Sequence, residues 1–261
     1  MGLIEPHALL LRAPREKQLL YKIMTIENLI RSILGEYLYF NRVDSYKDFK
    51  NADPNDGEQL PLERIINERS YFEKDPSFSG ANYYDRARSR TYACCFSLEN
   101  SDFIWRNYGK GGKKGKVCLV FDFGKLRATL NQSLQASNVH FQYNGHQCNQ
   151  IFDINYGLVD YVRRDKVQSD FKYLRNPIEY IYIKDKRHKN DNELRISLSA
   201  LGWGSFKLND GTLIVFPSSL FMAFDYRTAI NNKTIVKILA KKEEELDCFE
   251  FIKNFRVTSE L

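Results

Sequence analysis

The stretch that decides the fold is LLYKIMTIENLIRSILGEYLYFNRV, residues 19–43. Its middle carries apolar residues at the spacing of one helical face, at Ile26, Leu29, Ile30, Ile33 and Leu34. Thr25 is suited to cap the start of this helix, and Gly35 is suited to end it. The flanking segments are rich in aromatic and β-branched residues, which favour strands. The opening therefore predicts a strand, a helix and a second strand.

Downstream of this opening, short apolar runs between polar turns predict further strands. These runs cover residues 91–97, 117–123, 156–162, 178–184, 193–198 and 212–216. Helices are predicted over residues 60–72, over residues 103–108 behind a cap at Asn100 or Ser101, and over residues 230–245. Polar composition predicts loops over residues 44–56 and 129–150. With no internal repeat and no linker, the sequence predicts one α+β domain over residues 1–261.

Composition excludes several classes of protein. Of the 261 residues, 43% are hydrophobic, and 16 Tyr and 18 Phe supply a large core, which excludes a disordered chain. The five cysteines are an odd number, and Cys94 and Cys95 are adjacent, which argues against a disulfide framework and for a reducing, cytoplasmic compartment. The first apolar stretch, residues 8–11, is too short for a signal peptide, and no later run reaches about 18 apolar positions. We therefore expect no membrane span.

The excess charge of the chain is concentrated in one segment. The sequence has 39 Lys and Arg against 33 Asp and Glu, a net charge of +6, and residues 106–127 contain seven basic residues and one acid. This segment includes a glycine-rich loop, residues 109–116, with Lys110, Lys113, Lys114 and Lys116. A P-loop is excluded. In a P-loop the final Lys is followed by Ser or Thr and then by a helix, whereas here Lys116 is followed by Val117 and a predicted strand. We predict that the loop binds phosphates of a nucleic acid through its lysines and backbone N–H groups; a solvated turn is the alternative.

Two pairs of residues are candidates for a site. Trp105 and Tyr108 lie three positions apart on a predicted helix, so they either pack in the core or form a wall on which a flat ring stacks. Glu193 and Arg195 alternate along a predicted strand and therefore share one face. They are either an ordinary ion pair or part of a catalytic site.

Short blocks in a fixed order resemble those of a widespread bacterial family. That family carries the blocks Y-K-Y, F-N-D-P, C-F-S, M-W-x-x-Y, G-x-x-x-x-F-D and E-x-R. The matching residues here are Leu20 to Lys22, Tyr39, Phe40, Arg42, Val43, Phe49, Asn51, Asp53, Pro54, Cys95 to Ser97, Trp105, Tyr108, Phe121, Asp122, Glu193 and Arg195. The F-N-D-P block departs most, because Lys50 and Ala52 interrupt it, and Ile104 replaces the Met before the Trp. The resemblance covers residues 19–198.

The strand, helix and strand of residues 19–43 are also similar to the opening of ADP-ribosyltransferase toxins that modify nucleic acids, among them the mRNA-modifying toxins of bacterial phage-defence systems. This resemblance implies an ADP-ribosyltransferase-like split β-sheet core with flanking helices. It implies that NAD is the substrate and lies in a cleft between two small sheets. It also implies an RNA acceptor in preference to DNA, a cognate antitoxin protein as inhibitor, and a chaperone as a further partner.

The resemblance assigns roles around NAD. Glu193 is the best match to the catalytic glutamate, which stabilises the positive charge that builds on the anomeric carbon as the nicotinamide–ribose bond breaks. Tyr21 and Lys22 match a first-strand position that contacts the ribose and the nicotinamide amide, and Arg42 is placed to pair with the pyrophosphate. The residues expected around the nicotinamide are Ser97, Trp105 and Tyr108.

The acceptor is expected on the basic side of this site. The residues assigned to nucleic-acid binding are Lys110, Lys113, Lys114, Lys116 and Arg195. If the assignment is right, Tyr21, Arg42, Tyr108 and Glu193 line one cleft, and none lies more than about 15 Å from the others, the reach of a dinucleotide.

Two other functions stay open on the sequence. If Glu193 and Arg195 are merely paired, the chain is a non-catalytic nucleic-acid-binding or partner-binding module that binds RNA in a salt-sensitive way without turning over NAD. A nuclease has less support, because the sequence offers one plausible carboxylate. We expect no metal, because the cluster of suitable ligands, His140, His146 and Cys148, lacks the paired spacing of zinc sites.

Overall fold

The computed structural model describes residues 11–48, 52–72, 75–134, 138–143, 146–149, 152–167, 175–200, 205–207 and 211–240. Its opening is β1 (Leu19–Thr25), α1 (Ile26–Leu34) and β2 (Tyr37–Arg42), which confirms the predicted strand, helix and strand. Thr25 caps α1, since its hydroxyl accepts a hydrogen bond from the Asn28 N–H at 3.1 Å. A glycine is required at position 35, directly after the helix, because a Cβ there would lie 2.5 Å from the Tyr37 ring. The residue that adopts the left-handed backbone conformation at this helix end is Glu36, with φ 49°.

The remaining elements confirm the α+β class. The other strands are β3 (Tyr71–Phe72), β4 (Asp75–Ser79), β5 (Thr91–Ser97), β6 (Lys116–Asp122), β7 (Val139–Tyr143), β8 (His146–Asn149), β9 (Phe152–Leu158), β10 (Asp160–Val162), β11 (Ile183–Asp185), β12 (Glu193–Ala200), β13 (Ser205–Lys207), β14 (Leu213–Val215), β15 (Ser219–Ala223) and β16 (Ile235–Ala240). The other helices are α2 (Pro61–Glu68), α3 (Gly80–Ser89), α4 (Asp102–Asn107), α5 (Phe123–Ser133), α6 (Pro177–Ile181) and α7 (Tyr226–Asn231). Short 3₁₀ helices cover Val43–Asp48, Arg164–Lys166 and Lys186–Asp191. No helix of the described residues is long and apolar enough to cross a membrane.

The main sheet is antiparallel and divides at β5. One edge of β5 pairs along its whole length with β12, which pairs in turn with β9. The other edge is shared, because β1 places Tyr21 opposite Ser97 while β2 places Asn41 opposite Ala93. From this fork one branch continues through β1, β6 and β16, and the other through β2, β15, β7 and β8. The fork is the feature of the fold that positions the candidate site.

The two faces of the sheet are covered by different helices. The largest core cluster includes Leu20, Phe96 and Leu194 on one face, with apolar residues of α1, α5 and α7 packed against them. On the other face, α4 and α6 pack over smaller clusters. Directly paired residues of an antiparallel sheet project to the same side. Tyr21, Ser97 and Glu193 therefore share the face that α4 and α6 cover.

The prediction of a strand over residues 178–184 is wrong. Residues 177–181 form α6, and the strand β11 begins only at Ile183. The alternation of Tyr and Ile misled the prediction, because Tyr180, Ile181 and Tyr182 are all buried. A helix start is encoded just upstream: the side chain of Asn176 and that of Glu179 form a reciprocal capping box around a proline at the first helical turn.

Two further predictions are corrected at the edges of the sheet. The helix expected over residues 230–245 is instead the short α7 followed by β16, which pairs with β6; residues 241–245 lie outside the described residues. The loop expected over residues 129–150 instead contains the end of α5 and the hairpin of β7 and β8. In both regions the strands form because they pair with another strand of the sheet. Local composition does not reveal such pairing.

Two weaker predictions hold in part. The helix expected over residues 60–72 is α2, which ends at Glu68 and gives way to β3. The loop expected over residues 44–56 begins with the 3₁₀ helix Val43–Asp48, and residues 49–51 lie outside the described residues.

Candidate active site

Three predicted site residues meet where the sheet divides. Tyr21 of β1 is opposite Ser97 of β5, and Ser97 is opposite Glu193 of β12. Neighbouring Cα atoms in such a row are about 4.5 to 5.5 Å apart. Ser97 and Glu193 are buried, and Tyr21 is half-buried. The fold thus brings together a tyrosine, a serine and a carboxylate that are far apart in the sequence.

Glu193 is an ionised carboxylate held between two buried cations. Its Oε2 accepts hydrogen bonds from Arg195 Nη2 at 2.9 Å and from Lys184 Nζ at 3.2 Å. Arg195 is 0% exposed and Lys184 is 3% exposed. Burial by itself raises the pKa of Glu193, but the charges and hydrogen bonds of Arg195 and Lys184 outweigh burial and lower the pKa to about 2. The carboxylate is therefore negative at any physiological pH.

The two cations are themselves fixed by further acids. Arg195 donates two hydrogen bonds to the carboxylate of Asp56, at 2.5 and 2.7 Å. Lys184 donates to Asp191 Oδ2 at 2.6 Å, and the Tyr108 hydroxyl donates to Asp191 Oδ1 at 2.6 Å. A continuous buried network thus runs from Tyr108 to Asp56. The alternation of Glu193 and Arg195 predicted that they share one face, and their ion pair is one of the two alternatives left open there; Asp56, Lys184 and Asp191 were missed.

Glu193 lines a cavity of about 1080 Å³. The cavity wall consists of Arg12, Leu60, Leu98, Glu99, Ser101, Phe103, Leu158, Val159, Asp160, Tyr161, Val162, Val167, Arg175, Ile183, Lys186, Lys189, Asn190, Asn192 and Glu193. Its volume is slightly above the range of about 300 to 1,000 Å³ that is typical of small-molecule sites. Both hydrogen bonds to the carboxylate use Oε2, and Oε1 accepts none from the described residues. Oε1 is thus the oxygen left for a ligand.

Tyr161 shapes the same wall of the cavity. Its hydroxyl oxygen accepts the backbone N–H of Glu193 at 2.8 Å. Burial and the nearby charge of Glu193 raise the pKa of Tyr161 above its usual range, so the phenol keeps its proton. Because the hydroxyl is the acceptor in this bond, its own hydrogen can be donated to a ligand beside Glu193.

Trp105 of α4 and Tyr108, which directly follows α4, lie outside the cavity wall. Trp105 is 9% exposed, donates from Nε1 to Asn100 Oδ1 at 2.7 Å and packs in a core cluster with Ile104. It therefore belongs to the core, the alternative that the sequence left open. Tyr108 is half-buried and tied to Asp191. Of the predicted site residues, Glu193 lines the cavity, while Tyr21, Ser97, Trp105 and Tyr108 lie outside its wall.

Arg42 does not belong to this site. It pairs with Tyr92, five residues along β5 from Ser97, which corresponds to about 17 Å of strand. Its guanidinium is bound to the carboxylate of Asp44 at 2.5 Å and to the Phe216 carbonyl. The expectation that Arg42 lines one cleft with Tyr21, Tyr108 and Glu193 is therefore wrong.

Lys22 lies near the point where β1 and β2 diverge from β5, outside the cavity wall. Its ammonium donates to the Cys95 carbonyl at 3.2 Å and lies 5.0 Å from the centre of the Phe96 ring. Being adjacent to Tyr21 on a strand, it projects to the opposite face of the sheet. Its observed role is to satisfy a carbonyl of β5 where β1 and β2 diverge.

The cationic loop 109–116 already holds an anion from its own chain. The backbone N–H groups of Lys113 and Lys114 donate to Glu27 Oε1 at 2.7 and 2.9 Å. A hydrogen bond from its own backbone, together with those from Lys114 and Lys113, lowers the pKa of Glu27. The prediction that backbone N–H groups of this loop bind nucleic-acid phosphates is wrong for these two positions. The side chains of Lys110, Lys113 and Lys114 are exposed.

Two other predicted nucleic-acid contacts are structural. Lys116 Nζ donates to the carbonyls of Trp105 at 2.7 Å and Tyr108 at 2.6 Å, which neutralises the C-terminal end of α4. Arg195 is fully buried in the Glu193 network. Arg195 is not accessible to a phosphate in this arrangement, so the prediction for Arg195 is wrong. Lys116 is half-buried and its ammonium is already bonded to two carbonyls, so its observed role is structural.

The positive charge of residues 106–127 is not one patch. The loop lysines lie at one end of β6, and Lys125 and Arg127 lie beyond the other end, about 20 Å along the strand. Lys125 donates to the Asn232 carbonyl at 2.9 Å, and Arg127 pairs with Glu16 at 3.3 Å. The segment therefore contributes a smaller basic surface made by the loop.

The described side chains include those of three cysteines and part of the predicted histidine and cysteine cluster. Cys94, Cys95 and Cys118 are free thiols. Among the described residues, no group of three or more His, Cys, Asp or Glu side chains is arranged to hold a metal ion. The side chains of His146 and Cys148 lie outside the described residues.

Comparison with known proteins points to the same part of the chain. A family model described as "Protein of unknown function (DUF2971)" matches residues 104–196, about a third of the sequence. Neither the curated proteins nor the solved structures include a significant match. The matched segment runs from α4 through the cationic loop to Glu193 and Arg195 in β12. The chain is thus similar to this family over the segment that carries the buried carboxylate and most of the cavity wall.

Proposed function

We propose that this chain is an NAD-dependent ADP-ribosyltransferase that modifies a nucleic acid, RNA in preference to DNA. The observation that carries the proposal is the carboxylate of Glu193, which is ionised, fixed by two cations and located on the wall of a cavity of about 1080 Å³. The forked sheet supports an ADP-ribosyltransferase-like split core, in which NAD occupies a cleft. Arg42 lies about 17 Å along β5 from the position opposite Tyr21, beyond the reach of about 15 Å expected for a dinucleotide, so the four-residue NAD site expected from the sequence is wrong. The proposal instead rests on Glu193 and its cavity and gives Arg42 no part.

The chemistry that fits this carboxylate is transfer of a glycosyl group. The bond between the anomeric carbon and the nicotinamide nitrogen breaks, and its electron pair leaves with nicotinamide, which departs neutral. Positive charge develops on the ribose, and Glu193 stabilises it from a fixed position. A nucleophilic oxygen or nitrogen of the acceptor then bonds to the anomeric carbon, and its proton passes to solvent.

The low pKa of Glu193 defines its role. A carboxylate with a pKa of about 2 holds a proton weakly, so it is a poor general base near neutral pH. It is well suited to electrostatic stabilisation, because its position and charge do not change as the reaction proceeds. Tyr21 and Ser97, opposite each other at the fork, are positioning residues in this proposal, since they pack beside Glu193 and lie outside the cavity wall.

The acceptor would be held by the exposed lysines of the loop. Lys110, Lys113 and Lys114 offer three cations that nucleic-acid phosphates bind without sequence preference. The loop is tied to the site, because Lys116 bonds the Tyr108 carbonyl while the Tyr108 hydroxyl bonds Asp191. As a toxin the protein requires restraint in its own cell, so the proposal includes a cognate antitoxin protein and a chaperone as partners.

Transfer of labelled ADP-ribose tests the proposal. The purified protein is incubated with NAD labelled in the adenylate phosphate and with RNA, DNA or protein. We expect label on RNA, and a loss of at least about a hundredfold in the Glu193→Gln variant. Glu99→Gln is the matched control, because Glu99 lines the same cavity but is exposed.

The controls separate this proposal from its main alternative. Circular dichroism confirms that each variant is folded before the assay. Undiminished label transfer by Glu193→Gln contradicts the role of that residue. Salt-sensitive RNA binding by the wild-type protein, with no NAD consumed, favours a non-catalytic binding module instead.

A further inference from the structure

We propose that Lys186 and Lys189 bind the phosphate groups of the nucleotide that occupies the Glu193 cavity. Both residues belong to the 3₁₀ helix Lys186–Asp191, and both line the cavity. Side chains three positions apart in a 3₁₀ helix lie directly above one another. Two exposed ammonium groups are thus presented side by side on the wall that also carries the carboxylate.

The helix that carries the lysines is anchored at both ends. At its start, the Asp185 N–H donates to Asp53 Oδ2 at 3.1 Å, and Asp53 is fully buried. At its end, Asp191 binds Lys184 and Tyr108 through its two oxygens. The backbone between these anchors is pre-organised, which reduces the entropy lost when the lysines bind a ligand.

The two lysines differ from the other cations of the cavity. Arg12 is paired with Asp160 at 3.0 Å, and Arg175 is paired with Glu63 at 2.9 Å. Among the described residues, Arg187 lies near the carboxylates of Asp53 and Asp185, whereas neither Lys186 nor Lys189 forms an ion pair. Their charge is therefore available to an anion that enters the cavity, and phosphate oxygens are strong acceptors for ammonium groups.

The ligand class follows from the distribution of charge in the cavity. The wall carries the Glu193 carboxylate, suited to a sugar whose anomeric carbon becomes positive, and the two ammonium groups of Lys186 and Lys189; the exposed carboxylate of Glu99 also lies on this wall. A nucleotide with a diphosphate beside a ribose matches both the carboxylate of Glu193 and the two ammonium groups. Its identity as NAD rests on the proposed function, while the phosphate site rests on the two lysines.

Calorimetric titration with two separate probes tests the inference. Inorganic pyrophosphate and NAD are titrated into the wild-type protein, into a Lys186→Ala/Lys189→Ala variant and into Arg187→Ala. Arg187 is the matched control: it lies on the same helix and carries the same charge, but its guanidinium is near Asp53 and Asp185, at 3.8 and 3.7 Å, and does not line the cavity.

We expect the double variant to bind pyrophosphate at least about tenfold more weakly than wild type, because two charge-assisted hydrogen bonds are lost. Arg187→Ala should stay within about twofold of wild type, as an exposed charge outside the site does. In the transfer assay the double variant should show a raised KM for NAD with little change in kcat. Equal unfolding temperatures confirm that all three proteins are folded.

The outcomes separate the inference from the proposed function. Equal pyrophosphate binding by the double variant and Arg187→Ala overturns the phosphate site, even if label is transferred from NAD. Pyrophosphate binding that depends on the two lysines, with no NAD consumed by wild type, supports the site and overturns the transferase. A wild-type protein that binds neither probe overturns the phosphate site.

Discussion

At the residue scale, Glu193 combines two properties that rarely occur together. It is 7% exposed and still reaches a cavity large enough for a nucleotide. Burying a charge costs several kcal/mol, of the order of 3 to 5 when a partner is missing, and here Lys184 and Arg195 offset that cost. The result is a negative charge that needs no rearrangement when positive charge develops nearby.

The pH dependence of stability reports this charge. The pKa of Glu193 falls from 4.5 to about 2 on folding, so the carboxylate stabilises the fold above about pH 4.5 and loses that contribution as the pH falls towards 2. We expect Glu193→Gln to lower the free energy of unfolding by about 3 kcal/mol at neutral pH, because two buried cations lose their shared partner. Urea unfolding at a series of pH values measures the difference, which should narrow below about pH 4.5.

The exposed Glu99→Gln variant is the control for that series and should change stability by less than about 0.5 kcal/mol. A wild-type protein no more stable than Glu193→Gln at neutral pH contradicts the ion network.

At the element scale, local patterns predicted the elements that local sequence controls. The helical spacing and Thr25 cap of α1, and the alternation of Glu193 and Arg195 in β12, were confirmed. In α6 the capping box of Asn176 and Glu179 outweighs an alternation that resembles a strand. The strand β16 forms because it pairs with the edge of β6, and no local sequence pattern indicates that pairing.

The cationic loop yields a prediction that separates exposed from structural lysines. Replacing Lys110, Lys113 and Lys114 by Ala should weaken RNA binding and reduce the slope of log affinity against log salt by about 2, since three exposed phosphate contacts are lost. Fluorescence anisotropy over a salt series measures the slope.

Lys116→Ala is the matched control in the same loop. It should leave the slope unchanged but lower the free energy of unfolding by about 1 kcal/mol or more, because two carbonyls at the end of α4 lose their donor. The assignment of the loop to RNA fails if the triple variant retains the wild-type slope.

At the scale of the whole molecule, the site is assembled from contacts that no short pattern contains. Asp56 meets Arg195 across 139 positions of the chain, and Lys184 reaches Glu193 from a separate strand. Such pairs form because a buried arginine is stable only when a carboxylate lies beside it, and the fold determines which carboxylate that is. The same reasoning explains why the prediction for Arg42 was wrong: its guanidinium binds Asp44 and the Phe216 carbonyl near the other end of β5.

The most direct test of the central claim is the position of NAD in a crystal structure of the complex. We expect NAD in the cavity of about 1080 Å³, with the anomeric carbon of the nicotinamide ribose within about 4 to 6 Å of Glu193 Oε1, the range over which opposite charges interact strongly. NAD bound away from Glu193, or no NAD bound at saturating concentration, would contradict this expectation.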